Sequence, residues 1–366
     1  MQEPPSVGND IRAQRERLGV SQAALARRVG LSRQALHAVE TARSIPSVRV
    51  SLELARELQI PVERLFWLPG AQAKLRARLD APLDARGDPR RVLLAEVEGA
   101  VVAHLLDSTS GTPADGLGTA AGDGTMEVEL LPGSAWRERL VVAGCDPALG
   151  LLAQRVGTGA HWLEVPSDEA LTLLTRRRTH VAGLHLAGDD GPGGNVRAVR
   201  TRRFGRPLSV VHFASWELGL AVAATNPLGI RDVSSLASPK VRLVNRGPTA
   251  AARHLLDRLL KRARIPRSRV RGYDSEAPGH AAVALAISLG GADVGVTTRA
   301  AAEAHGLEFL PLSREQFDLV FPVATAEVAP VHRMLDVLRS ESFRRELGAL
   351  PGYDTAQTGD LVGEVE

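Results

Sequence analysis

Apolar residues recur every three or four positions through the N-terminal part of the chain. Ile11, Leu18 and Val20 mark a first helix capped by Asn9 or Asp10. Leu25, Ala26 and Val29 mark a second capped by Ser21, and Leu36 and Val39 a third capped by Ser32. Gly30 stands where the second helix must end and the chain turn back, a conformation that is cheap only for glycine. Leu31 plugs the corner, and the small Ala26 lets the two helices cross closely. Ser47 starts a fourth helix, and Val62 to Phe66 closes the unit, with Phe66-Trp67-Leu68 read as core, linker packing or a dimer contact, core first among them, and Met1 to Gly8 as a loose leader.

The pattern then changes. RVLLAEVEGAVVAHLL holds two β-branched apolar runs around Glu98-Gly99, which predicts a hairpin. Glycine-rich Ser108 to Gly124 reads as a mobile loop and Met126 to Leu131 as a third strand. From Leu140 onward short apolar runs alternate with helical stretches. LVVAGC is followed by ALGLLAQRV, opened by Asp146-Pro147; HWLEVP is followed by EALTLLTRRR, capped by Ser167-Asp168; HVAGLHLA comes next. A second series starts near Leu208 and ends in FDLVFPVA and two helices from Val331 to Leu347. This alternation predicts a parallel α/β sheet in two lobes, the last helices returning to the first lobe. The expected layout is multidomain: an all-α five-helix headpiece (9–68), a small β-rich connector (69–138) without chemistry of its own, an α/β bilobal domain (139–352) and a flexible polar tail (353–366).

Composition narrows the classes. A chain of 366 residues with 44% hydrophobic content can fill two or three cores. It has no apolar run near the ~20 residues of a membrane span, and its polar N-terminus lacks the apolar core of a signal peptide, so cytoplasmic residence is expected. A single cysteine, Cys145, excludes an internal disulfide framework. The net charge of +3 is low for a protein that coats nucleic acid, but residues 12 to 64 are arginine-rich and contain no lysine.

The stretch VSQAALARRVGLSRQALHAVETARSIP resembles the helix-turn-helix of lambda-repressor-like (Cro-type, XRE) regulators, a resemblance covering about the first sixth of the chain. It implies that the second helix of the motif enters the major groove of double-stranded DNA. Ser32, Arg33, Gln34 and Ala38, with His37 and Thr41 beside them, are the implied reading positions. Arg33 suits the O6 and N7 acceptors of guanine and Gln34 the N6 and N7 edge of adenine. Gln22, Arg43 and Ser44 match phosphate-contacting positions. The chain departs from the family where Asn-Gly usually follows the glutamate: here Glu40 is followed by Thr41-Ala42, and alanine is strained at positive φ. The plain alternative is a helical hairpin with a solvated arginine-rich face.

A second resemblance rests on AGCDPALGLLA, HVAGLHL, ATNPLGIRDVSSLA, VNRGPTAAARHLLD, RGYDSEAPGHAAVALAISLGGADVGV and GLEFLPLSREQFDLVFP. These look like the periplasmic-binding-protein-like domain (type II), a family related to molybdate and tungstate binding proteins. The resemblance implies an oxyanion or other small-molecule effector in the cleft between lobes. Helix N-termini at such a cleft attract anions through free N–H groups and the helix dipole. The candidate turns are Cys145-Asp146, Ser167-Asp168, Arg246 to Thr249 and Gly279-His280, with His185, Asn245 and Arg253 as further ligand-binding positions. The family commonly has Gly-Ser-Gly-Thr-Arg where this chain has Thr249-Ala250-Ala251-Ala252-Arg253, so two hydroxyl donors are missing.

Cys145 is either a nucleophile or redox sensor, since a helix N-terminus lowers thiol pKa, or a structural cysteine. The histidines from His161 to His332 show no spacing typical of zinc, and the loop Asp189 to Asn195 reads as a hinge, a cleft cover or plain surface. The expected function is a homodimeric DNA-binding transcriptional regulator that senses an effector. It is expected to have no catalytic residue, resident metal or cofactor. Two rivals stay open: a ligand domain reduced to a dimerisation or partner-binding scaffold, and an enzyme using Cys145.

Overall fold

The computed structural model describes residues 7–67, 74–80, 87–108, 110–131, 136–157, 159–185, 194–202 and 204–366. The chain forms two compact units, Met1–Leu94 with Ala100–Arg137, and Ala95–Gly99 with Glu138–Glu366.

In the first unit, helices Ile11–Arg17, Gln22–Arg28, Arg33–Glu40, Val48–Glu57 and Val62–Leu65 surround a core that includes Ile11, Leu25, Ala26, Leu36, Leu54 and Leu65. The serine hydroxyls of Ser21, Ser32 and Ser47 each accept from the backbone N–H three residues on, as good N-caps do. Asp10 caps the first helix without its side chain, and Asn9 instead donates to Val39 O at 2.7 Å. Two expectations are corrected. Leu18 is 41% exposed, because it lies beyond the helix end rather than on its inner face. Gly8–Asn9 is no loose leader: it pairs antiparallel with Phe66–Trp67, which therefore form a ribbon at the edge of the core. Leu68 lies outside the described residues.

The connector is a closed five-stranded barrel of Lys74–Leu79, Ala100–Leu105, Arg90–Val97, Gly116–Ala120 and Thr125–Leu130, in that order around the barrel. Its central hairpin turns at Glu98 and Gly99, both at positive φ, as a tight two-residue turn requires. The expected mobile loop over 108–124 is wrong in its second half, which holds the strand Gly116–Ala120. A Cβ at Gly116 would come within 2.4 Å of Val128 and one at Gly118 within 2.0 Å of Met126. Glycine is present there for close packing inside a narrow barrel rather than for freedom.

The second unit is built on a nine-stranded sheet. Parallel pairing is confined to each lobe: Val141–Gly144 lies between His161–Glu164 and Val181–Leu184, and Leu243–Arg246 between Glu276–Ala277 and Val294–Thr298. The expected parallel sheet holds within each lobe, but Leu208–Val222 and Glu308–Pro322, two 15-residue strands, run antiparallel to one another through both lobes. At ~3.4 Å per residue each spans ~50 Å, enough to cross from one lobe to the other. The polar SREQ segment that separates the apolar runs LEFLPL and FDLVFP is therefore strand, with Arg314 opposite Glu217 and Gln316 opposite Ser215 at the crossing.

Helices Ala329–Arg339 and Glu341–Gly348 return to the first lobe, where Val331, Met334 and Phe343 share a core with Leu149 and Leu152. The tail expected to be flexible is ordered. Leu361–Val365 pairs with Leu208–Val211, Thr358 donates to Phe213 O at 2.7 Å, and Val365 is buried. No helix among the described residues is long and apolar enough to cross a membrane.

Candidate functional site

On the headpiece, the N-terminal end of Arg33–Glu40 presents Ser32, Arg33 and Gln34 to solvent, and His37, Thr41, Arg43 and Ser44 are exposed along and beyond it. Ala38 is half-buried, its carbonyl accepting from the N–H groups of Arg43 and Ser44. Ala42 adopts φ 55°, so alanine takes the left-handed turn where the family has glycine, and the helix exit keeps its shape at a cost in strain. Gln22 joins a chain of contacts. It donates to Glu40 Oε2 at 2.7 Å and accepts from Arg33 Nε at 3.3 Å, while buried Arg15 holds the other oxygen of Glu40 at 2.7 Å. Arg33 is thereby oriented by a network anchored in the core.

In the second unit, the strand ends of both lobes meet. Cys145 follows Val141–Gly144, Pro166 and Ser167 follow His161–Glu164, and His185 follows Val181–Leu184. From the other lobe, Arg246 ends Leu243–Arg246, Ala250 to Ala252 begin the helix Ala251–Arg262, and His280 begins His280–Ser288. Together they line a narrow crevice that is nowhere wide enough for a water-sized sphere. This is the crevice at the carboxyl ends of strands where α/β folds place ligands.

Its polar atoms are unusually placed. His185 Nε2 is 3.1 Å from Cys145 Sγ, and one donor atom each from Cys145, His185 and His280 lie within 4.8 Å of one another. All three residues are at most 4% exposed. Among the described residues, His185 Nδ1, His280 Nε2 and Arg246 Nε are buried with no hydrogen-bond partner, and such groups are costly to leave unsatisfied. The remaining polar atoms are engaged: His185 N donates to Ser167 Oγ, Thr297 Oγ1 donates to His280 O, and Arg246 Nη1 donates to Ala277 O.

Burial sets the electrostatics. It pushes the Cys145 thiol up to about 12, with the Asp146 charge adding to it. Burial also lifts the Asp146 carboxyl to about 6 against the hydrogen bond from Tyr353. It lowers His185 to about 3 and His280 well below the usual imidazole value, with Arg246 adding to both, so both rings are neutral at pH 7. Glu164, at the exposed end of its strand, is also raised, with the nearby Arg246 charge opposing the shift.

The expected ligand residues divide. Cys145, Ser167, His185, Arg246 and His280 line the cavity. Asp146 stands behind it, accepting from Ala148 N and Tyr353 Oη. Asn245 donates to Tyr273 O, and Arg253 donates to Arg246 O while its guanidinium lies 4.0 Å over the Tyr273 ring, so both shape the wall from the rear. Thr249 is exposed and outside the lining. Ser167 does not cap its helix; Pro166 holds that position and the hydroxyl serves His185 instead. Of the two readings of Cys145, the buried structural cysteine fits, because desolvation outweighs the helix terminus and raises the thiol pKa. Most of the Asp189–Asn195 loop lies outside the described residues; Asn195 is buried and donates to Asp318 Oδ2 at 2.8 Å.

Sequence spacing could not show that Cys145, His185 and His280 converge, since a different strand delivers each. It also missed a cluster at the lobe crossing, where Asp318 Oδ1 is 2.8 Å from His212 Nδ1 and Ser215 Oγ is 3.4 Å from His212 Nε2. That order matches a hydrolase triad. The C-terminal segment clasps it, however: Gly359 N donates to His212 O, His212 N to Asp360 O, and Ser215 and Asp354 exchange both backbone bonds. We read it as a fastening of the crossing strands.

Known proteins match both parts of the chain. Residues 150–339 match the PBP superfamily domain and residues 11–65 match a helix-turn-helix. The chain is 26% identical over 234 residues to the uncharacterized protein YvgK of Bacillus subtilis (strain 168), covering 62% of this chain and 75% of that one. It is 33% identical over 60 residues to the uncharacterized HTH-type transcriptional regulator YgzD of the same organism, covering 16% of this chain and 91% of that one. Among solved structures, a putative phosphate ABC transporter substrate-binding protein with bound phosphate from Clostridium perfringens aligns with a TM-score of 0.44 and 9% identity. That alignment covers 57% of this chain and 96% of the other.

Proposed function

The chain belongs to the PBP superfamily, and from that premise we propose a DNA-binding transcriptional regulator whose ligand domain senses a small effector in the cavity between its lobes. The observation that carries the sensing half is the pair of buried, unpartnered nitrogens, His185 Nδ1 and His280 Nε2, supplied by opposite lobes. A scaffold that had lost its ligand would gain by filling or pairing them.

For DNA, the reading assigns base contacts to Ser32, Arg33, Gln34, His37, Ala38 and Thr41, and phosphate contacts to Gln22, Arg43 and Ser44. The exposed end of the helix and the network behind Arg33 support it. A homodimer on a two-fold-related operator is supported by exposed apolar Ile45, Val48 and Leu52 beside the reading helix, 60%, 77% and 55% exposed. Residence in the cytoplasm follows from a DNA partner.

Within the cavity, two imidazole N–H groups, Arg246, the Ser167 hydroxyl and three helix N-termini are donors that suit an oxyanion such as molybdate or tungstate. The alanines at 250 to 252 leave only backbone donors on one side. A second reading, another small ligand that is not a dianion, is favoured by the buried Asp146 behind Cys145, whose negative charge opposes a dianion. Either effector shifts DNA affinity only if it prefers one of two lobe arrangements.

Thermal unfolding of the full chain with molybdate, tungstate, sulfate and phosphate tests the oxyanion reading. Binding at ~100 times the dissociation constant adds about 2.7 kcal/mol to the domain concerned. A shift with molybdate or tungstate supports it, and no shift with any of the four removes it. Selection from a random DNA pool tests the rest, because failure to enrich a sequence over scrambled duplex overturns the operator reading.

A further inference from the structure

We propose that Cys145, His185 and His280 form a binding site for a divalent d-block metal ion of the zinc class, which holds the two lobes closed. This deepens the reading of the interlobe cavity as the effector site and rests on it.

The donor set is one sulfur and two imidazoles, the ligands that select zinc-like ions over calcium or magnesium. Around one tetrahedral ion, with Zn–N near 2.0 Å and Zn–S near 2.3 Å, donors stand roughly 3.5 Å apart. His185 Nε2 and Cys145 Sγ are already 3.1 Å apart, and all three donors fall within 4.8 Å, so small side-chain rotations complete the geometry. An ion held directly by three side chains needs no water-sized space, whereas a hydrated or tetrahedral oxyanion must part the lobes.

The rings are prepared for ligation. A neutral imidazole offers one lone pair, and His280 has Nε2 unpartnered with Thr297 Oγ1 3.5 Å from its other nitrogen. An outer partner of that kind fixes the tautomer of a metal-bound histidine. Ser167 beside Cys145 is left for the fourth position.

Charge balance points the same way. An oxyanion with two negative charges would be set against the buried Asp146 carboxyl next to Cys145, whereas a divalent ion on the Cys145 thiolate adds only one positive charge beside it. On binding, the S–H bond breaks, its proton leaves to solvent and the sulfur pair forms the S–metal bond; the imidazoles lose no proton. Because Cys145 and His185 sit on one lobe and His280 on the other, the ion is a cross-lobe staple.

The test is titration of chelator-treated full-length protein with Co²⁺ and Zn²⁺. Cobalt should give a thiolate-to-metal charge-transfer band with visible bands of a four-coordinate site, and zinc should displace it and raise the unfolding temperature. Cys145→Ser should abolish the near-ultraviolet band. His280→Asn should weaken binding at least about 100-fold, the upper end of what losing an outer partner costs, with native circular dichroism retained in both variants. A band that survives in Cys145→Ser overturns the assignment by placing the ion elsewhere. No band and no zinc effect, with stabilisation by an oxyanion, overturns the metal site but keeps the effector cavity. No stabilisation by metals or oxyanions overturns the metal site together with the oxyanion reading.

Discussion

The phenol of Tyr353 donates to the buried carboxylate of Asp146 at 2.5 Å, across 207 residues of chain. The bond ties the C-terminal segment to the turn that delivers Cys145, so the ligand domain depends on residues a sequence reader would discard as tail.

The same carboxylate makes stability depend on pH. Its pKa is raised from 3.8 to about 6, mainly by burial, so protonation favours the folded state. That contribution is fully present below about pH 3.8 and is lost as pH rises through about 6. Asp146→Asn keeps an acceptor for Tyr353 and Ala148 and removes the buried charge. It should raise stability at pH 7 to 8, by up to about 3 kcal/mol at 1.36 kcal/mol per pKa unit, and give no gain below about pH 4. Denaturant melts in chelator at both pH values decide it; a gain of equal size at pH 4 would mean the effect is not electrostatic.

How much of this was legible in the sequence depends on range. The serine caps at Ser21, Ser32 and Ser47 and the hairpin at Glu98-Gly99 are set by neighbours within a few residues, and they read correctly, whereas Ser167 gave up its cap to Pro166. Gly116 and Gly118 misled because glycine serves close packing as readily as freedom. The long strands misled because SREQ is polar where the sheet passes between lobes. The lining residues Cys145, Ser167, His185, Arg246 and His280 were named from their turns, but their convergence is a tertiary fact. The two readings of Cys145 could not be separated because burial, which raises its thiol, is invisible to local pattern.

The left-handed Ala42 gives a test of local strain. A non-glycine residue there costs about 1–2 kcal/mol, while glycine loosens the unfolded chain by roughly 0.5–1 kcal/mol. Ala42→Gly should therefore stabilise the helix exit by about 0.5–1 kcal/mol. Amide exchange at Arg43 and Ser44, whose N–H groups donate to Ala38 O, should slow in the variant. Faster exchange would show that the turn is not strained.

With its pKa near 12, the Cys145 thiol is protonated at neutral pH and 4% exposed. A thiol reagent at pH 8 should label it only as fast as the native protein opens, and at once in denaturant. Labelling within the dead time of mixing on folded protein would restore the nucleophile or redox reading that burial argues against.

The last expectation separates reading from holding on DNA. Arg33 is exposed at the helix N-terminus and steadied through Gln22 and Glu40, whereas Arg43 lies just past the helix. Arg33→Ala should cost about 1–3 kcal/mol on the selected operator and little on scrambled duplex, so preference at one base pair relaxes. Arg43→Ala should weaken both duplexes alike and lower the salt slope of log affinity by about one. Anisotropy titrations at several salt concentrations measure both quantities for each variant. Equal losses on operator and scrambled DNA for Arg33→Ala would return that arginine to the phosphate contacts and pass the base reading to Gln34.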